Sequence, residues 1–191
     1  MPLVKRGRIV ADPYVRVVDD APVADDVAVI LPAARFLADA AELAQRAAPT
    51  GVLWPNDRRV ADLAWLDRLA LVALAFPSFR DGRAYSQARQ LRERYGFGGE
   101  LRATGDVLRD QFLFFIRAGF DSLEVRKDAD AAAFAEAVGR YSVFYQPSAD
   151  GRGSTARQRL LSRPERNTAE TAQAARSAAA FVDSNDAIAL N

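Results

Sequence analysis

From residue 27 to residue 145, short apolar runs alternate with segments whose apolar residues recur at helical spacing. This alternation constrains the fold more than any other feature of the chain. Residues 27–31, 51–54, 69–76, 101–104, 122–125 and 142–145 read as six strands. The third is the longest apolar run and reads as a central, doubly covered strand. Between the strands, five sets of residues mark helices: Phe36, Leu37, Ala40 and Leu43; Val60, Leu63 and Leu66; Tyr85, Ala88, Leu91 and Tyr95; Leu108, Phe112, Phe115 and Ile116; Ala131, Phe134, Ala135 and Val138. Asp57, Asp106 and Asp128 stand where N-caps are expected, and Gly96 and Gly119 where helices end. Connections of a few residues then predict an α/β domain with a mostly parallel sheet of about six strands and right-handed crossovers. The units are too few for an eight-fold barrel, so an open doubly wound sheet and a partial β/α barrel both fit.

Two flanking segments lie outside this pattern. Leu3-Val4 and Ile9-Val10 surround Lys5-Arg6-Gly7-Arg8 and predict a small hairpin, with residues 14–18 as a third short strand. The hairpin region (1–18) and the alternating region are read as one domain, 1–147. Residues 148–191 are rich in Ala, Arg, Ser and Thr and are expected to form a mobile or helical tail outside the core, with residues 169–181 the best helical stretch.

Composition narrows the chemistry. The 191 residues include no His and no Cys, and the single Met is Met1. Thiol nucleophiles, imidazole bases and thiolate or imidazole metal ligands are therefore excluded. A net charge of +1 argues against a nucleic-acid footprint. The start, MPLVKRGRIV, lacks a signal-peptide core, no apolar run reaches membrane length, and the chain has no disulfide framework. A cytoplasmic protein with no membrane or nucleic-acid partner is expected.

In parallel sheets, ligands collect where strands run into helices. Three such connections carry charge: Arg80, Asp81, Gly82, Arg83, Tyr85 and Ser86 after the third strand; Gly105, Asp106, Arg109 and Asp110 after the fourth; Arg126 and Lys127 after the fifth. If these meet at one rim, their guanidinium groups suit phosphate, sulfate, sulfite or a carboxylate. The alternative is that Arg80 and Arg83 pair with Asp81, Asp106 or Asp110 and only lock the loops. Tyr85 and Ser86 are candidate donors, although Tyr85 also fits as a packing residue. Asp106 and Asp110 lie one helical turn apart, but capping and pairing roles outweigh a metal site, and none is expected. The Gly-rich run 96–99 follows a helix and precedes a strand, the reverse of a nucleotide-binding loop. No cofactor is expected and no catalytic residue is assigned.

The block Phe79-Arg80-Asp81-Gly82-Arg83-Ala84-Tyr85-Ser86, followed by Leu91-Arg92-Glu93-Arg94-Tyr95-Gly96, Gly99-Glu100-Leu101-Arg102-Ala103, Gly105-Asp106-Val107-Leu108-Arg109-Asp110-Gln111 and Gly119-Phe120-Asp121, resembles a bacterial family, domain-of-unknown-function family 934. The resemblance runs from the hairpin to about Gln146. It implies an oxidoreductase or accessory protein of sulfite reduction, encoded beside assimilatory sulfite reductase. Relatives often carry a Cys where this chain has Ala118. With no redox-active side-chain pair and no flavin, nicotinamide or haem motif, an accessory role is the expectation. That role is binding a sulfur oxyanion through Arg80, Arg83 and Arg109, or docking on sulfite reductase or its electron donor. An enzyme acting on a phosphorylated or sulfated metabolite, with Asp81, Asp106 or Asp110 as base, and a ligand-free scaffold are the alternatives.

Overall fold

The structure is a computed structural model that describes residues 1–18, 21–43, 45–141, 144–150, 152, 154, 155 and 159. Eight strands form a single mixed sheet in the order β2-β1-β8-β7-β6-β5-β4-β3. They are β1 (Leu3–Lys5), β2 (Arg8–Val10), β3 (Val15–Arg16), β4 (Val29–Pro32), β5 (Thr50–Trp54), β6 (Leu71–Phe76), β7 (Glu100–Gly105) and β8 (Ser122–Glu124). Strands β3 to β8 run parallel in sequence order. In the hairpin, β1 then pairs antiparallel with β8, and β2 pairs antiparallel with β1 at the sheet edge. Its turn has Arg6 and Gly7 both at positive φ (51° and 77°), the geometry of a two-residue hairpin.

The expected α/β class holds, and three details are corrected. The sheet has eight strands and mixed direction instead of about six mostly parallel ones, because the hairpin pairs with β8 and the short segment 15–16 pairs with β4. The open doubly wound arrangement is also overturned. Strands that neighbour in sequence order, joined by right-handed crossovers, place their connections on one face only, so the sheet is singly wound and forms a half-barrel. Among the described residues, none of the sixth predicted strand pairs within the sheet. Phe144 makes only an isolated bridge with Ser154, and residues 142–143 lie outside the described residues.

The chain itself shows how strongly the sheet curls. Strands β2 and β3 are its two opposite edges, yet only residues 11–14 join them. Eight flat strands would span roughly 34 Å at the usual spacing. The link from Val10 to Val15 reaches at most about 19 Å. The sheet therefore bends until its edges approach, and the linking segment crosses the concave side.

Alternation along each strand divides the two faces. Val52, Trp54, Val72, Leu74, Phe76, Leu101, Ala103 and Leu123 point to the convex side and build the main core. The helices covering that side are α1 (Ala33–Ala38), α2 (Ala40–Leu43), α3 (Arg83–Arg89), α4 (Phe112–Arg117) and α5 (Asp130–Gly139). The first predicted helix is thus broken at Asp39. The expected helix after β5 is replaced by two 3-10 turns, Val60–Asp62 and Leu66–Arg68. Concave-facing residues are different: Ile30, Leu71 and Ala73 form a small apolar patch, and Glu100, Arg102, Thr104, Ser122 and Glu124 form a polar one. Among the described residues no helix is long and apolar enough to cross a membrane.

The first described residues after 147 pack back on the fold. Ala149 N–H donates to Arg117 O at 3.2 Å, and Thr155 N–H donates to Phe144 O at 2.7 Å. The expected helix at 169–181 lies outside the described residues.

Candidate anion-binding site

Parallel pairing of β6, β7 and β8 brings their C-terminal ends to one rim, and Asp106 ties the three following loops together. Its carboxylate accepts from Phe79 N–H at 2.9 Å and from Arg126 Nη2 at 2.6 Å. Its own N–H donates to Phe76 O at 2.8 Å. Gln111 Nε2 adds a bond to Phe79 O at 3.3 Å. None of the three aspartates expected as N-caps serves as one. Helix α4 starts after Gln111, α5 after Ala129, and neither start has a side-chain cap; residues 60–62 follow Arg59, also uncapped. Asp106 is drawn away because the loops on either side offer it an N–H, from Phe79, and a guanidinium, from Arg126.

The predicted rim residues meet different fates. Asp81 and Arg83 form a fork-to-fork pair, with Nε at 2.9 Å from Oδ1 and Nη2 at 2.6 Å from Oδ2. Hydrogen bonding from Arg83 holds the Asp81 carboxyl far below the ordinary carboxylate range. Arg80 is exposed and lies over the Phe79 ring, 5.4 Å from its centroid. Arg109 and Asp110 are exposed on the 3-10 turn before α4. Gly82 precedes α3, and Ser86 is exposed on its first turn. Gly105 has φ +97°, and a Cβ there would collide with the Phe76 carbonyl oxygen. Tyr85 packs edge-on against Phe76 with centroids 5.0 Å apart. Its hydroxyl is buried with no partner, and burial followed by the charge of Asp110 raises its pKa. Asp106 thus joins the loops of the rim, and Arg83 and Arg126 are paired with acids, while Arg80 and Arg109 form no ion pair among the described residues.

One loop further along lies a cavity of about 420 Å³ whose lining includes Arg58, Arg59, Arg83 and Arg94. One wall is the loop after β5. The other is a single face of α3 and the π-wound turn that continues it, Gln90–Arg94. Arg83, Ser86, Gln87, Gln90 and Arg94 recur there at helical spacing. Gln87 is 6% exposed and fastens the two walls: Nε2 donates to Pro55 O at 3.0 Å and to Arg58 O at 2.7 Å. Asn56, also 6% exposed, stands beside Asp81 and lowers it further without reaching hydrogen-bonding geometry.

Arg58, Arg59 and Arg94 form no ion pair and no side-chain hydrogen bond among the described residues. Two of them rest on aromatic rings instead, Arg58 6.0 Å from the Trp54 centroid and Arg94 5.6 Å from that of Tyr95. Stacking positions a guanidinium while leaving its donors unspent. A larger cavity of about 530 Å³, near the start of β8, has one unpaired guanidinium among the described residues, that of Arg6. There Arg92 is used up on Gly119 O, Phe97 O, Gly99 O and Asp121, and Arg152 bonds Val138 O.

Sequence reasoning found Arg83 and Ser86 but missed Asn56, Arg58, Arg59, Gln87 and Arg94. The pair Arg58-Arg59 directly after a strand was a usable signal, as was the polar helical spacing from Arg83 to Arg94. Among the described residues no group of three or more acidic, His or Cys side chains is placed to hold a metal ion.

Residues 51–156 match the family described as bacterial proteins of unknown function, DUF934. No curated protein matches the chain.

Proposed function

The chain belongs to DUF934, a family of bacterial proteins of unknown function, and we propose that this member is an accessory protein of assimilatory sulfite reduction. It binds an oxyanion and contributes no redox side chain of its own. The observation that carries the binding role is the set of three unpaired guanidinium groups, Arg58, Arg59 and Arg94, around one cavity. The block from Phe79 to Gln111 supports the link to sulfite reduction through what the resemblance implies. A chain without Cys or His has no thiol or imidazole for group transfer, which favours binding over catalysis. The working location is the cytoplasm.

Docking on sulfite reductase or its electron donor is the second arm of this reading. Phe114, 68% exposed on α4, and Tyr141, 53% exposed beyond α5, both line a groove between these helices. Arg109 and Arg140 stand at the same groove.

Growth of a deletion strain on sulfate, sulfite, sulfide or cysteine as sole sulfur source tests the proposal. Failure on sulfate and sulfite with rescue by sulfide is the expected result. Normal growth on all four would remove the pathway assignment.

A further inference from the structure

The cavity between the β5 loop and the α3 face is shaped for more than a small inorganic ion. We infer that it takes an organic monoester of phosphate or sulfate, with the ester group held by Arg58, Arg59 and Arg94 and the organic part along Ser86 and Gln90. The inference rests on the anion-binding reading above and names the ligand class for that site.

Three observations carry it. The volume of about 420 Å³ lies within the range, about 300–1,000 Å³, of pockets that enclose organic ligands. A four-oxygen ion would leave most of that space to water. The charged groups also come from both walls: Arg58 and Arg59 from the loop, Arg94 from the far end of the helix face. They can therefore engage an anion bidentately from two sides. Between them the helix face offers neutral donors and acceptors, Ser86 and Gln90, suited to hydroxyl groups and of no special use to a fully ionised oxyanion.

The remaining acids at the site do not cancel this field. Asp81 is engaged by Arg83, and Asp57 lines the cavity with its charge acting on Arg83, so three unpaired guanidinium groups face one unpaired carboxylate. Tyr95 remains 37% exposed beneath Arg94, which leaves ring surface beside the charged end. The nearly buried Gln87 holds the floor in place through its bonds to Pro55 O and Arg58 O.

The test is equilibrium binding to the full chain by calorimetry, with ribose 5-phosphate, inorganic phosphate, sulfate and sulfite as probes. Ribose 5-phosphate is expected to bind about tenfold or more tighter than any of the inorganic ions. Arg59→Ala and Arg94→Ala, both at exposed positions and expected to fold, should each weaken it by about tenfold. Arg68→Ala, an exposed arginine outside the cavity, should not. Equal or tighter binding of sulfite overturns the ester class while leaving the oxyanion reading intact. Unchanged affinity in the Arg59 and Arg94 variants overturns the site. Tight ester binding beside normal growth of the deletion strain on sulfate would keep the site and remove the sulfite-reduction role.

Discussion

Arg16 donates to Glu124 at 2.5 Å although four strands of the sheet lie between them. The bond crosses the concave side. Arg16 also reaches Thr104 at 3.1 Å, and Thr104 donates to the other oxygen of Glu124 at 2.7 Å. Deeper in, Arg102 has no exposed side-chain surface and pairs with Asp12 at 2.6 Å, Glu100 at 3.1 Å and Glu124 at 3.5 Å. Lys5 and Ser122 complete the ligation of Glu100 at 2.9 and 2.6 Å, and Tyr14 lies over the Arg102 guanidinium. Three cations face three carboxylates, so the network is neutral and its members satisfy one another. It closes the half-barrel beside the small apolar patch of Ile30, Leu71 and Ala73.

Removing the central cation should expose how much that closure costs. Arg102→Met leaves the buried Glu124, the half-buried Glu100 and the exposed Asp12 without their shared partner. The expected loss is about 3–5 kcal/mol in urea unfolding, because stranded buried charge is costlier than a missing attraction. A loss below about 1 kcal/mol would show that water or the linking segment 11–14 readily takes over.

The same network predicts an acid limit to stability. Burial pushes Glu100 up, but hydrogen bonds from Ser122 and Lys5 and the charge of Arg102 outweigh it, so the carboxyl lies below its ordinary 4.5. Asp12 lies below its ordinary 3.8 for the same kind of reason, with Arg102 and the Tyr14 N–H opposing burial. Both folded values are depressed. Their contribution is therefore complete above the unfolded values and is lost as pH falls through the folded ones. The urea midpoint should be level above about pH 5 and should fall below about pH 4.5. In Glu100→Gln that fall should be shallower; an identical slope would exclude Glu100 as its source.

Gly105→Ala tests the join between β7 and the rim. The residue has φ +97°, and its added Cβ would strike the Phe76 carbonyl oxygen, backbone that cannot swing aside. Strain and collision together should cost about 1–3 kcal/mol. Exchange of the Asp106 amide, bonded to Phe76 O at 2.8 Å, should rise in the same variant. A variant as stable as the parent, with that amide still protected, would contradict the geometry.

Tyr85→Phe separates packing from binding. The hydroxyl is buried without a partner, so its removal relieves an unmet desolvation penalty and keeps the ring against Phe76 and Phe115. The melting temperature should hold or rise, and anion affinity should not change. A drop in affinity with unaltered melting would return Tyr85 to the role of ligand donor.

Much of the architecture was legible because it rests on local pattern. The five parallel strands β4 to β8, the hairpin turn and the positive-φ glycines at 96 and 119 follow from alternation, helical spacing and turn chemistry, which act over a few residues. What residues in sequence order could not show was curvature. Whether crossovers fall on one face or two, and whether strand edges meet, depends on the order of strands in space. The caps failed for a related reason: Asp106 had a local role available, but tertiary packing placed Phe79 N–H and Arg126 within its reach. The site was half visible. Arg83 and Ser86 stood out beside a strand end, whereas Arg58, Arg59 and Arg94 join them only because Gln87 pins the β5 loop to the α3 face. Local chemistry alone determined the α/β class and excluded thiol and imidazole catalysis. Only the folded sheet decided which charges are spent on one another and which are left facing open space, because pairing depends on distances that span the whole chain.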